Sequence, residues 1–225
     1  MDEQVSYFAK TRQDMVTTIG APTAQALLGK ALYFLSVGGN DIVFGEFSFD
    51  ANKYVDEVVS NFKSQLTRLY HLDARKIVVS GVSKVGCFPF EVDTHLWVHD
   101  CVASLNKMAQ LYNSKLKSLL EDLTKSLTGS MFVYVDNYAI MEDIMNNYAS
   151  YGFENVDQAC CEVIGRHGGL ISWTSVSGVC PDRTKHVFWD AFHPTESAVS
   201  IAAKHALDGG FEYVSPINIR KLVSS

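Results

Sequence analysis

The sequence predicts an α/β fold, in which helices cover both faces of a parallel sheet. Short and almost continuous apolar runs, typical of buried strands, alternate with longer segments whose apolar residues recur at helical spacing. The chain has 225 residues, of which 47% are hydrophobic, and this is enough for one domain with its own core. No repeat or linker divides the chain, so we expect one domain over residues 1–225.

The first half of the chain contributes three helices and two strands. They follow one another as helix (3–20), helix (22–30), strand (31–38), helix (52–70) and strand (76–82). Gly20 is a typical helix stop, and Pro22 suits the first position of the second helix. The third helix is amphipathic. Its apolar side consists of Tyr54, Val58, Phe62, Leu66 and Leu69. Both strands are apolar throughout most of their length, which predicts burial on both faces.

The second half continues the alternation. Its elements are helix (101–127), strand (131–136), helix (138–153) and a last helix that begins near Pro194. Glu196 lies in the first turn of the last helix, where a carboxylate complements the helix dipole. Only three strands are predicted in all, which makes a thin sheet for this many helices.

Charge and composition exclude several classes of function. The net charge is −6 and both signs are mixed along the chain, so there is no basic stripe for nucleic acid. No apolar run is long enough for a transmembrane segment. The residues from Met1 onwards lack the pattern of a secretory signal, so the sequence leaves the localisation unknown.

The cysteine and histidine spacing predicts no metal site and no cofactor. The cysteines are Cys87, Cys101, Cys160, Cys161 and Cys180. They are either buried thiols or disulfides, and the Gly-, Pro- and polar-rich surroundings of four of them favour disulfides. An odd number leaves at least one unpaired. The histidines with no mutual metal spacing are expected at the surface, and they are His71, His95, His99, His167, His186 and His205.

Two short motifs indicate chemistry. FWDAFHPTE, residues 188–196, places Asp190 three residues before His193, at the start of a helix. An Asp beside a His is the arrangement that orients a general base. SVGGND, residues 36–41, follows the first strand and places Asn40 at the carboxyl end of the sheet, where α/β proteins bind ligands. Asn40 is interpreted either as an oxyanion donor or as part of a Gly-Gly turn with helix-capping residues.

In this order, the two motifs resemble the GDSL esterase/lipase family (SGNH hydrolases), and in particular its plant branch. Gly38, Asn40 and Asp41 match the family's G-x-N-D block, and Asp190 and His193 match its D-x-x-H block. Three longer segments also resemble plant members, namely VSGVSKVGCFP, MEDIMNNYASYGFENVDQACC and CPDRTKHVFWD. The resemblance extends from about Gln4 to the last helix.

The resemblance implies a fold, an activity and a set of site residues. The fold is the flavodoxin-like three-layer αβα arrangement of SGNH hydrolases, and the activity is hydrolysis of small-molecule or lipid esters without a cofactor. His193 is implied as general base, Asp190 as the residue that orients it, and Asn40 as an oxyanion donor. Comparison with the family also makes Cys87–Cys101 a plausible disulfide and pairs Cys180 with Cys160 or Cys161, of which we select Cys161. Family members are typically secreted.

The family's nucleophile block is not found in the sequence. No Gly-Asp-Ser occurs, and neither does the block that supplies a backbone oxyanion donor. The resemblance places both upstream of Met1, so we expect a partial domain that lacks the first two strands of the sheet and has no nucleophile in the chain. Ser83 is the nearest approach to a substitute nucleophile, but the bulky Lys84 and Val85 after it do not suit a nucleophile elbow.

Two functional hypotheses therefore stay open. The chain is either an ester hydrolase by family or an inactive relative that binds a ligand or a partner. Without its neighbours in the sheet, the strand ALYFLSV would be an exposed apolar edge with no charge or proline to protect it. This predicts self-association through that edge.

Overall fold

The structure is a computed structural model, and it describes residues 1–45, 50–95, 97, 100–162, 164–171, 175 and 177–225. The helices are α1 (Asp2–Ile19), α2 (Ala21–Lys30), α3 (Gly39–Phe44), α4 (Ala51–His71), α5 (Pro89–Thr94), α6 (Ala103–Ser126), α7 (Asn137–Asn146), α8 (Glu196–Asp208) and α9 (Ile219–Ser224). The strands are β1 (Leu32–Ser36), β2 (Lys76–Ser80), β3 (Met131–Val135), β4 (Asn155–Ala159), β5 (Cys161–Glu162), β6 (Gly178–Val179), β7 (His186–Phe188) and β8 (Val214–Ser215). Of the helices described, none is both long enough and apolar enough to cross a membrane.

The main sheet has the strand order β1–β2–β3–β8. Strands β1, β2 and β3 are parallel and in register, with Leu35 opposite Val79 and Val79 opposite Tyr134. The three predicted strands are therefore confirmed as the parallel core of the sheet. Strand β8 pairs antiparallel with β3. Sequence analysis missed β8 because two residues are too short to show a periodicity.

Helices pack on both faces of this sheet, which gives the expected three-layer arrangement. On one face, side chains from α4 and α6 such as Phe62, Leu66 and Tyr112 are fully buried with the β2 residues Ile77 and Val79. On the other face, Val78, Val133 and Val135 pack against α7, α8 and α9. The strands alternate their side chains between the two layers, so each layer has its own apolar cluster.

Strand β1 differs from the prediction of burial on both faces. Leu35 is buried, whereas Leu32 is 41% exposed and Phe34 is 58% exposed. Within the described residues, β1 pairs only with β2, and its outer edge has no partner strand. The exposed apolar edge expected from the sequence is thus present in the structure, and self-association through it stays a prediction.

Two other segments depart from the predicted elements. The predicted helix over 138–153 ends at Asn146, and a short 3-10 turn, Tyr148–Tyr151, follows it and stops at Gly152, whose φ is 88°. A positive φ ends a helix and is readily adopted by glycine. Strand β7 pairs with β4 in a separate two-stranded sheet and not with the main sheet.

The disulfides correct one prediction. Cys87 and Cys101 are joined as predicted, but Cys180 is joined to Cys160, so the Cys161–Cys180 pairing selected from the sequence is wrong. The register of the β5–β6 pair explains this, because Cys161 lies opposite Val179 and the preceding Cys160 therefore lies opposite Cys180. Cys161 is a buried free thiol, and burial raises its pKa. A thiol of this kind is unreactive compared with a thiolate.

Candidate active site

The turn that carries Asp190 and His193 is closed by its own backbone. The Trp189 N–H donates to the carbonyl of His193 at 2.7 Å, and the Thr195 N–H donates to the carbonyl of Val187 at 2.8 Å. Thr195 then caps α8 by accepting a hydrogen bond from the Ala198 N–H. The turn is therefore held between β7 and the first turn of α8 and is not a free loop.

Asp190 is fixed in place by the peptide groups that follow it. Its Oδ1 accepts hydrogen bonds from the backbone N–H of Phe192 at 2.9 Å and of His193 at 2.8 Å. The Asp190 side chain is 11% exposed. A carboxylate that accepts two backbone N–H groups in a buried position has little freedom to rotate, so the short D-x-x-H spacing builds a rigid acceptor.

His193 contacts this acceptor through one ring nitrogen. Its Nδ1 lies 2.8 Å from Asp190 Oδ1 and 2.9 Å from Oδ2. The side chain is 71% exposed, and within the described residues Nε2 has no hydrogen-bond partner. An Nδ1–H that donates to the carboxylate leaves the lone pair on Nε2, which is the form of the ring that accepts a proton.

Helix α5 and strand β5 both contact the turn that carries Asp190 and His193. In α5, the Phe90 N–H donates to the carbonyl of Ala191 at 3.1 Å. The ring centroids of Phe90 and Phe192 lie 4.6 Å apart. On the other side, the Cys161 N–H donates to the carbonyl of Trp189 at 2.6 Å. Helix α5 and β5 thus hold the backbone of the turn from two directions, which a mobile loop could not provide.

Asn40 lies at the start of α3, directly after β1, and is exposed. The preceding Gly38 has a φ of 105°, and a Cβ atom placed on it would lie 2.6 Å from the ring of Tyr112. The Tyr112 hydroxyl donates to the Val37 carbonyl at 3.0 Å, and burial raises the pKa of Tyr112, so this donor keeps its proton. The G-x-N-D motif therefore requires glycine at 38, because α6 packs against the turn.

One cleft of about 480 Å³ is lined by both Asn40 and His193. Sequence analysis placed these two residues in the same site, and the structure brings them together. The cleft is also lined by Ser36, Asn137 and Phe192, which sequence analysis missed. A signal was available for two of them, since Ser36 ends β1 and Asn137 follows β3, and the carboxyl ends of parallel strands share one edge of a sheet.

Ser83 also lines this cleft, on a loop that α6 holds tightly. Asn113 bonds both backbone groups of Val82, accepting from the N–H at 2.7 Å and donating to the carbonyl at 2.8 Å. The Ser83 Oγ is buried and has no hydrogen-bond partner in the described part of the chain, so it makes no hydrogen bond to His193. An activated serine is normally within hydrogen-bond reach of its base. Ser83 and His193 thus line the same cleft, but no hydrogen bond joins the Ser83 hydroxyl to the His193 ring.

A second Asp–His pair lies outside the cleft, and it corrects another prediction. His167 was expected at the surface but is buried, and its Nδ1 lies 2.8 Å from Asp93 Oδ1. Asp93 also accepts from the backbone N–H groups of His167 and Gly169. The pair therefore anchors the β5–β6 loop to α5. Of the other predicted surface histidines, His71 is exposed, whereas His95, His186 and His205 are half-buried. His99 lies outside the described residues.

Comparisons with known proteins give the family that this chain matches. Residues 1–206 match the family model described as GDSL-like Lipase/Acylhydrolase. The chain is 43% identical to GDSL esterase/lipase At4g16230 of Arabidopsis thaliana, and the match covers 100% of this chain and 64% of that protein. It is 37% identical to GDSL esterase/lipase At2g23540, over 99% of this chain and 60% of the relative. It is also 37% identical to GDSL esterase/lipase At3g50400 of the same plant, and that match covers 99% of this chain and 63% of the relative. The chain thus spans about three-fifths of the length of these relatives.

Proposed function

Because the chain belongs to the GDSL-like lipase/acylhydrolase family, we propose that its cleft carries the base and oxyanion groups of a carboxylic-ester hydrolase site. The observation that supports this most strongly is that one cleft is lined by Asn40 and by a His193 whose Nδ1 is hydrogen-bonded to Asp190. The substrate is a small-molecule or lipid ester.

His193 acts as general base and then as general acid. In the reaction of the family, a serine hydroxyl, which we propose below that these 225 residues do not supply in activated form, gives its proton to Nε2 as its oxygen bonds to the ester carbonyl carbon. When the carbon–oxygen bond to the leaving group breaks, Nε2 returns the proton to the departing alkoxide. Water then attacks the acyl group, gives a proton to Nε2, and the acid leaves as Nε2 returns that proton to the serine oxygen. Asp190 keeps the ring in the tautomer with the proton on Nδ1 and stabilises the imidazolium that forms between proton uptake and release.

Asn40 stabilises the negative charge on the carbonyl oxygen. Its side-chain amide donates a hydrogen bond to the oxyanion of the tetrahedral intermediate. A fixed dipole serves this purpose well because it needs no reorganisation during the reaction, and the packing of Gly38 against Tyr112 fixes the turn that carries Asn40.

We further propose that these 225 residues contain no activated serine. The sequence has no Gly-Asp-Ser, and the one buried serine hydroxyl in the cleft, Ser83 Oγ, makes no hydrogen bond to the base. The chain by itself then holds the base and the oxyanion donor without a nucleophile. A non-catalytic role in binding a ligand or a partner is the second candidate, and the open apolar face of β1, where Leu32 is 41% and Phe34 is 58% exposed, favours it.

The test is labelling of the 225-residue chain with a fluorophosphonate, read by intact mass, beside the His193→Ala variant and a known serine hydrolase as positive control. We expect either no adduct or one that is equal in the chain and in the variant, because an unactivated serine reacts negligibly. Circular dichroism of both proteins checks that they are folded.

An adduct that His193→Ala abolishes would contradict the absence of a nucleophile. Ser83→Ala then identifies the residue. Loss of the adduct in this variant as well would make Ser83 the nucleophile, whereas retention would assign the adduct to another serine, which peptide mapping locates.

A further inference from the structure

A small pocket lies between α6 and the edge of the sheet formed by β3 and β8, and we propose that it binds a small aromatic carboxylate. Its volume is about 250 Å³, slightly below the range of about 300–1,000 Å³ that is usual for drug-sized ligands. None of the described residues lines both this pocket and the cleft of Asn40 and His193, and the pocket is at the opposite edge of the main sheet from β1. The inference therefore does not depend on the proposed function.

The pocket exists because β8 is shorter than β3. Strand β8 pairs only with Tyr134 and Val135, and Pro216, which follows it, has no backbone N–H with which to extend the ladder. Alternation along β3 turns Phe132 and Tyr134 towards α6, where Leu120 packs with them. These three side chains are almost fully buried and form the floor of the pocket.

An aromatic ring and a lysine complete the lining. Phe211 is 68% exposed and forms an outer wall. Lys117 of α6 is half-buried, and its Nζ lies 5.8 Å from the centre of the Tyr134 ring and 5.5 Å from the centre of the Phe211 ring. In the part of the chain that the structure describes, no carboxylate lies within ion-pair distance of this ammonium. The pocket thus combines an apolar interior with a positive charge close to two aromatic rings.

The charges of the lining favour an anion. Lys117, Glu121 and Lys125 recur at every fourth residue of α6, so they lie along one side of the helix. Two positive charges and one negative charge leave a positive excess. Glu121 is exposed, so its carboxylate stays in water and can turn away from a bound anion.

Two acidic residues in the adjoining polar hollow have partners of their own. Asp136 and Glu142 line this hollow together with Lys117. Glu142 Oε1 lies 3.0 Å from Lys84 Nζ, and Asp136 Oδ1 accepts a hydrogen bond from the backbone N–H of Ala139 at 3.0 Å. Neither carboxylate forms an ion pair with Lys117, so the ammonium is left for a carboxylate from outside the chain.

Together these features select a ring that carries a carboxylate. An aromatic ring suits the interior, because it can pack edge-to-face or offset against the rings of Phe211 and Tyr134. A carboxylate would pair with Lys117, whereas a ligand with an ammonium group would be repelled by Lys117 and Lys125. The volume limits the ligand to about one ring with a short acidic chain, such as phenylacetate.

The experiment titrates the nitrogen-labelled 225-residue chain with phenylacetate and follows the amide signals by NMR. Three further probes each change one feature, since acetate has no ring, 2-phenylethanol has no charge and phenethylamine has the opposite charge. We expect phenylacetate to shift the signals of residues 117–125 and 211–216. We expect 2-phenylethanol to bind about fivefold more weakly, the contribution of a partly exposed ion pair, and acetate and phenethylamine not to bind measurably.

Two variants and two matched controls locate the site. Lys117→Gln is expected to weaken phenylacetate binding about fivefold through the lost ion pair, and Phe211→Ala about threefold through the lost ring contact. Lys115→Gln is the first control, because Lys115 is half-buried on the same helix but does not line the pocket. Tyr7→Ala is the second, because Tyr7 is 63% exposed, close to the 68% of Phe211, and lies outside the pocket. Neither control should change the affinity, and circular dichroism checks that all four variants are folded.

Several results would overturn the proposal. They are no binding of phenylacetate, equal affinities for phenylacetate and 2-phenylethanol, equal weakening by Lys117→Gln and Lys115→Gln, and shifts confined to residues of the cleft. His193→Ala should leave the affinity unchanged, and a loss of binding in this variant would place phenylacetate in the cleft and not in the pocket. The fluorophosphonate result bears on the proposed function alone, so the two proposals can fail separately.

Discussion

Replacing Asp93 with alanine is expected to lower the free energy of unfolding by about 3 kcal/mol or more, since each buried donor left without an acceptor costs about 1–3 kcal/mol. The Asp93 side chain is 1% exposed and accepts from the N–H of His167, the ring of His167 and the N–H of Gly169. Alanine would leave these donors buried without an acceptor, which carries the full desolvation penalty. Urea unfolding followed by circular dichroism measures the change.

The same histidine provides the control for this prediction. His167 Nε2 also lies 3.9 Å from Asp157, whose side chain is 61% exposed. Because exposed pairs contribute little, Asp157→Ala should cost no more than about 1 kcal/mol. Equal effects of the two alanine variants would show that Asp93 is not the anchor of the β5–β6 loop.

The second large effect is expected at Gly38, where alanine should destabilise the protein by about 3 kcal/mol. The φ of 105° is unfavourable for any side chain, and the new Cβ would lie 2.6 Å from the Tyr112 ring, which is fully buried and cannot move aside freely. Thermal and urea unfolding give the loss of stability.

Gly39 offers a matched control one residue further on. A Cβ atom there would meet nothing within 4 Å, and its backbone is helical, so Gly39→Ala should be neutral or slightly stabilising. If Gly38→Ala is as well tolerated as Gly39→Ala, the packing of α6 against the turn is not what fixes the position of Asn40.

The features that the sequence predicted well are those set by local spacing. Asp190 and His193 belong to one turn, so a separation of three residues is enough to predict their contact. Asn40 follows β1 directly, so the rule that ligands bind at the carboxyl ends of parallel strands placed it at that edge of the sheet. Its place in one site with His193 was implied by the resemblance to the family. For the same reason, Ser36 and Asn137 could have been predicted in the cleft.

The features that the sequence could not supply depend on pairing between distant segments. The choice between Cys160 and Cys161 follows from the register of β5 and β6, since a shift of one residue turns a side chain to the other face. The burial of His167 depends on Asp93, which is 74 residues away in the sequence. The open face of β1 also depends on which elements surround it and not on its own residues.

The central claim is that Asp190 holds the proton of His193 on Nδ1 and leaves Nε2 as the base. The most direct measurement is the set of imidazole nitrogen chemical shifts in nitrogen-labelled protein above pH 8, with His193→Ala used to assign the signal. We predict that His193 is in the tautomer with the proton on Nδ1, which is the minor form of free histidine, and that Asp190→Ala restores the ordinary mixture. A His193 signal with the proton mainly on Nε2, unchanged by Asp190→Ala, would contradict the account.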